Sequence, residues 1–346
     1  TEQRVVPDED GILTLNINEF LKEQIEILNN DLIKGTLQNN LDAFCQFYIT
    51  YAEAYDYSTG GYTLMDYVGN YLDDSELFTG YAVNADLPFK NLHSGFLSDY
   101  LYGSSATKLK FLTPSLYPEL TPGKFFDISF INQIGALLRI RRECLQGGTI
   151  VKTFIDPIND YGIGIYRYEL DQSIYLEDTI YLTLEFFDYI NWIPISETKV
   201  ITVNSECSPF TNFNLSWLNN TGGFDYWTFK SSADFGVNIE GTTSVNKNIF
   251  PQWPNSFGAG GDRIRQETSR DSRTVVTVRA ENLTANQVSD LYRIRTSPLV
   301  QIVNSRTDRR NVIVDAGSFN YLQQREKSFS LEFQISYTDN LPSQSL

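Results

Sequence analysis

The sequence predicts a mainly β protein: an immunoglobulin-like β-sandwich and a second β-rich domain, preceded by an acidic, partly helical segment. Three observations predict it. From 108 to 206, short runs rich in β-branched and aromatic residues follow one another at strand length, with no helical pattern between them. Turn chemistry separates these runs at Pro122-Gly123, Gly147-Gly148 and Asp156-Pro157, because proline fixes φ and glycine accepts positive φ. From 207 to 346 the strand pattern returns, broken by one short helix signal, whereas residues 1 to 107 show apolar positions at helical spacing.

In the first segment, Asn18 is placed to cap a helix from about Glu19 to Lys34. Leu21, Ile25, Leu28 and Leu32 form its stripe and Gly35 ends it. A second helix is expected from about Gln38 to Tyr55, with Leu41, Phe44, Tyr48, Tyr51 and Tyr55 on one face. The stretch from Ser58 to Thr107, rich in Tyr, Gly, Asp and Ser, reads as irregular or short-stranded, an interaction loop.

The sandwich is read from KLKFLTP, KFFDISFIN, GALLRIRREC, GTIVKTFI, GIGIYRYEL, TIYLTLEFF and TKVITVNSEC. Several strands of this length without helices are the pattern of an antiparallel sandwich. The Cys, Trp and Cys spacing of antibody domains is missing, so only the architecture is implied. The second β domain opens with LSWLNNTGGFDYWTF, in which Asn219 to Gly223 is a hairpin turn. A loop from Asn246 to Gly261 follows, then the strand SRTVVTVRAEN. A helix at 284–296 carries Thr284 and Gln287 as a capping box and Pro298 beyond its end. LVQIVNS, RNVIVDAGSFNY and SFSLEFQISY complete the domain as strands, the first two forming a hairpin across RTDRR.

Composition narrows the function. A chain of 346 residues buries about three quarters of its unfolded surface and needs no covalent staples. Cys45, Cys144 and Cys207 are far apart and odd in number, which suggests neither a disulfide framework nor a zinc site. The opening TEQRVVPDED is unlike a signal peptide, and no run reaches the length of a membrane span. Both fit a chain made in the cytoplasm without a membrane span. A formal net charge of −16 makes phosphate-driven nucleic-acid binding by the whole molecule unfavourable. The charge is uneven: residues 1 to 100 hold 17 acids against 4 bases, and residues 262 to 327 hold 12 bases against 8 acids. Such polarity suits head-to-tail assembly, in which unlike ends of neighbouring copies meet. Two independently solvated surfaces are the plainer alternative.

Catalytic chemistry has little to stand on. His93 is the one histidine, in NLHSGF, with no nucleophile motif beside it. GAGGDR at 258–263 is not a phosphate loop, and the acids show no calcium-loop spacing. No catalytic residue, metal or cofactor is therefore assigned and no enzyme is expected, although two facing carboxylates about 5 to 9 Å apart would point to a glycosidase. The aromatic cluster Trp217, Phe224, Tyr226, Trp227 and Phe229 alternates between strand faces, which favours packing or a subunit or domain interface over a one-faced stacking platform. The loop residues Phe250, Trp253 and Phe257, restrained by Pro251 and Pro254, form an expected inter-subunit arm. Arg263, Arg265, Arg309 and Arg310 mark the basic end of the interface.

Several of these pieces carry a resemblance: Cys207, Trp217-Leu218-Asn219, Gly222-Gly223 and Phe224-Asp225-Tyr226-Trp227, then NQVSDLYRIRTSP, VIVDAGSF and SLEFQI. From about 108 to 346 the chain resembles virion structural proteins of tailed bacteriophages, especially tail and neck components from phages and prophages of Bacteroidetes. Its C-terminal end is similar to the β-rich folds of distal-tail and tail-ring subunits. The resemblance implies a non-enzymatic tail, neck or baseplate subunit in the virion, forming a homo-oligomeric ring and touching other tail or neck proteins. DNA would pass through the lumen without specific binding, with acids from the N-terminal part or the sandwich facing inward. The alternative is a carbohydrate-binding or adhesive β-sandwich protein, secreted or on a bacterial surface. In a glycosylating host Asn214 and Asn219, in N-L-S and N-N-T, would then matter.

Overall fold

Among the described residues between Leu37 and Val83, the chain forms strands. The computed structural model describes residues 20–21, 23, 37–40, 44–49, 53–57, 61–65, 78–83, 99–100, 102, 108–115, 118–132, 137–158, 164–170, 177–205, 212–230, 234–246, 265–305, 308–323 and 328–337. Residues 20, 21 and 23 are helical, but the rest of the expected first helix lies outside the described residues. The expected second helix is corrected: its span holds β1 (Leu37–Asn40), β2 (Phe44–Ile49) and β3 (Glu53–Tyr57). β3 pairs with β4 (Gly61–Met65), and β2 pairs with β5 (Phe78–Val83). Phe44 and Tyr48 stand four apart, a spacing that serves a helix face and a strand face alike. Pairing with distant segments decides for the strand, as the aromatic and β-branched content of FCQFYI favours.

The chain divides into two units. The first comprises Thr1–Tyr117, Phe126–Thr202 and Asn219–Phe224, and the second Pro118–Phe125, Val203–Leu218 and Asp225–Leu346. The next strands in order are β6 (Glu119–Leu120), β7 (Asp127–Asn132), β8 (Leu138–Gln146), β9 (Thr149–Ile158), β10 (Gly164–Glu169), β11 (Thr179–Phe187), β12 (Trp192–Pro194) and β13 (Lys199–Val203). In the second unit, β6 meets the residue after β13 through Asn204 N–H donating to Leu120 O at 2.8 Å.

In the first unit, β1, β10 and β7 form one antiparallel sheet in that order. β13, β11, β8 and β9 lie in order in another, with β12 also paired to β11. Of the expected sandwich runs, KLKFLTP makes only an isolated bridge, Leu109 to Ser196; each of the others contains a strand. Gly147 and Gly148, at φ 58° and 79°, turn β8 into β9, the positive-φ pair that matches the twist of a tight hairpin.

β7 and β10 are buried along their whole length. Phe130 stacks on Tyr166 at 5.7 Å and meets the edge of Phe111 at 6.2 Å. Arg167 also lies here, its side chain fully buried, 2.5 Å from the equally buried Asp127 carboxylate and 4.9 Å above the Phe224 ring. Such a pair offsets its own desolvation only while both members are present.

The second unit is built on one seven-stranded sheet. Its strands are β14 (Phe213–Leu218), β15 (Phe224–Phe229), β16 (Asp234–Asn246), β17 (Arg265–Leu283), β18 (Val300–Val303), β19 (Arg309–Gln323) and β20 (Phe329–Tyr337). Their spatial order is β15-β14-β18-β19-β20-β17-β16. Alternate residues Leu331, Phe333 and Ile335 of β20 point into the core with Val276 and Val278 of β17, the period of two that a half-covered sheet requires.

The cover is α1 (Ala285–Tyr292) and the 3-10 turn after it, which add Leu291 and Ile294 to that core. The capping box is present as expected: Thr284 accepts from Gln287 N–H at 3.3 Å and the Gln287 side chain accepts from Thr284 N–H at 2.8 Å. On β17 and β20, Arg279 and Glu332 stand opposite each other and are bonded at 2.6 and 2.8 Å.

Candidate interaction surface

The aromatic stretch that dominates the sequence is turned inward. Trp217 and Phe229 lie in the core of the second unit, Phe229 edge-on to Phe333 at 5.4 Å, with Trp227 packed partly buried against the same core. On the opposite face of the hairpin, Tyr226 packs on Phe125 at 5.8 Å. There Thr228 donates to Asn214 Oδ1 at 3.1 Å, and Asn214 Nδ2 donates to the carbonyls of Phe125 and Val303, each at 3.2 Å. The division of aromatics between two faces is therefore observed. Trp217, Phe224 and Tyr226 are all buried, so none offers a ring face to a ligand.

Of the basic residues, Arg309 covers the Phe125 ring at 4.5 Å and is half-buried. Arg310 is exposed, 3.6 Å from Asp308. Arg265 begins β17. Phe250, Trp253, Phe257, Arg263 and His93 lie outside the described residues.

The turn Asn219 to Gly223 is built like a core element. The Asn219 side chain accepts from Thr221 N–H at 2.9 Å, Thr221 Oγ1 at 2.8 Å and Gly223 N–H at 3.1 Å, and donates to Leu112 O at 2.9 Å. Gly222 has φ +88°. A Cβ on Gly223 would stand 2.2 Å from Leu112 O. Asn214 and Asn219 are both buried, so neither amide is open to glycosylation in the folded chain.

A different turn meets the solvent. β11 and β12 pair Phe187 with Trp192, and between them the chain reverses through Asp188, Tyr189, Ile190 and Asn191. Asp188 Oδ1 accepts from Ile190 N–H at 3.0 Å and from Asn191 N–H at 2.6 Å, while Asp188 N–H donates to Asn191 O at 3.1 Å. The Asn191 bond, then the Ile190 bond, holds the Asp188 carboxyl below its ordinary range. Tyr189 sits at φ 73°, a region that costs a bulky L-residue roughly 1 kcal/mol. Tyr189 is 92% exposed and Ile190 81%.

Below this tip the sheet is braced. Phe187 and Trp192 rings lie 5.1 Å apart, and Arg139 stacks over Trp192 at 4.1 Å. Arg139 also donates to Glu185 at 2.7 Å, and Arg141 approaches the same carboxylate at 3.2 Å. Leu137 and Ile193 are partly exposed nearby in the same sheet region, with Phe187 N–H bonded to Leu137 O at 3.1 Å.

The first unit thus projects two nearly bare apolar side chains from a clamped turn on a rigid hairpin. Seating each in a partner would contribute about 1.5 to 3 kcal/mol. Sequence reasoning placed the TIYLTLEFF strand but passed over D-Y-I-N. The available signal was an Asx-type turn carrying Tyr and Ile where turns ordinarily carry Gly, Asn or Ser.

No protein-family model matches the chain, and no curated protein sequence does. Among the described residues, no group of three or more His, Cys, Asp and Glu side chains could hold a metal ion. Among them, too, no helix is long and apolar enough to cross a membrane.

Proposed function

We propose that the protein is a structural subunit of a tailed-phage particle, in the tail, neck or baseplate, working as a symmetric oligomer of its own copies. The observation that carries this reading is the Tyr189–Ile190 tip, apolar surface held in a fixed geometry where solvent alone would disfavour it. Aromatic anchors of this kind are enriched where protein surfaces meet. The phage-like texture from about 108 to 346 and the opposite charge of the chain's two ends support the reading. On it, the sheet of β1, β10 and β7 and the sheet of β13, β11, β8 and β9 form an immunoglobulin-like sandwich, and the acidic surface lines a lumen through which DNA slides.

The test is fractionation of the source culture on a density gradient, followed by mass spectrometry. The polypeptide should sediment with nuclease-protected DNA at a fixed ratio to a capsid protein, and a Tyr189→Ser, Ile190→Ser chain should drop out of that fraction. Recovery with cell envelopes, and binding to polysaccharide that Tyr189→Ser abolishes, would replace this reading with the adhesive one.

A further inference from the structure

Among strands of six or more residues whose burial is described along their whole length, β9 is the one with a single buried residue. It is the last strand of its sheet, and among the described residues nothing pairs with its outer edge. Of its ten residues only Ile158 is buried. Ile150, Val151 and Ile155 are each about half exposed, at 51%, 52% and 51%. A long apolar edge is a template for another strand, and proteins usually blunt it with a lysine, a proline or a short length.

Here the lysine and proline are present, and their placement decides what kind of strand fits. We propose that β9 pairs with β9 of a second copy, antiparallel, about a two-fold axis at Phe154. In that register Lys152 of each copy faces Asp156 of the other, Thr153 faces Ile155, and Val151 faces Pro157, whose missing N–H falls at the end of the rung series. The lysine that would repel a copy in a parallel in-register pairing becomes a partner in this one.

Lys152, Phe154 and Asp156 share a face by strand alternation. Lys152 lies 4.8 Å from the Phe154 ring, Arg142 covers the same ring at 4.0 Å, and Asp156 accepts a hydrogen bond from Tyr168. That bond holds the carboxylate on this face, and an ionised carboxylate has acceptor sites left for an ammonium. The contact is isologous and closes a pair by itself; joined to a head-to-tail ring, it would set two rings face to face. It stands independently of the particle reading.

Charge exchange in the purified full-length chain tests it by sedimentation velocity. Lys152→Asp puts two carboxylates opposite each other, and Asp156→Lys puts two ammonium groups there, so each variant alone should lose the pairing shown by the unmodified chain. An equimolar mixture of the two restores both ion pairs and should form a heterodimer, and the double variant should pair with itself. Lys152→Asp leaves the Asp156–Tyr168 bond intact, so it remains decisive even if Asp156→Lys lowers the melting temperature. An unmodified chain that stays monomeric, or a Lys152→Asp chain that associates as the unmodified one does, would overturn the proposal.

Discussion

Two turns use the same chemistry to opposite ends. At Asn219 to Gly223 and at Asp188 to Asn191, the side chain of the first residue accepts hydrogen bonds from backbone N–H groups further along the turn. The first turn is buried, spends its positive φ on Gly222 and presses the bare Cα of Gly223 against Leu112 O. The second is exposed, spends its positive φ on Tyr189 and presents that side chain outward. Glycine takes positive φ without a Cβ penalty, whereas Tyr189 holds a strained conformation while remaining in solvent.

The contrast breaks first at Gly223. Gly223→Ala forces Leu112 or the turn to move, and is expected to lower stability by about 2 kcal/mol or more, read as a fall in the urea midpoint. Asn219→Ala should follow at roughly 1 to 3 kcal/mol, because it strips partners from two buried N–H groups and from the Leu112 carbonyl. At the exposed turn, Tyr189→Ser should leave the unfolding free energy from urea titration within about 0.5 kcal/mol of the unmodified chain, while assembly is lost. A large stability loss there would mean the tip is packed, not displayed.

Acid sharpens the same comparison. Because the folded Asp188 carboxyl is held below its ordinary value, its clamp contributes above the unfolded pKa of about 3.9 and is lost as pH falls through the lower folded value. The Asn191 and Ile190 amide resonances should therefore titrate below about pH 3.9, while the amides of Thr221 and Gly223, bonded to the neutral Asn219 side chain, should not follow. The smallest expected effect is at Cys144, whose buried thiol is pushed up mainly by desolvation. Peptide mapping after mild alkylation at pH 8 should find Cys144 unmodified until the chain is unfolded.

Local signals made some elements readable. Thr284 and Gln287 announced a helix start because a capping box satisfies backbone donors within one turn. The runs of the second unit announced strands by their alternation, and Asn-Asn-Thr-Gly-Gly announced its hairpin. The segment 38–55 misled because aromatics four residues apart satisfy both periods, and only pairing with β10, β5 and β4 separates them. The Tyr189 tip went unread for a related reason. Tyrosine and isoleucine after a β-rich run look like more strand, and exposure is not a property of a residue type.

The sequence by itself determined the β character, the cap of α1, the glycine turns and the division of aromatics between strand faces, since each depends on neighbours within a few positions. Only the tertiary structure decided that Trp217 is enclosed while Tyr189 is bare, that Gly223 must lack a side chain, and that β9 ends its sheet. Those facts depend on which distant strand arrives beside each residue, and non-local pairing leaves no trace in the spacing of a single strand.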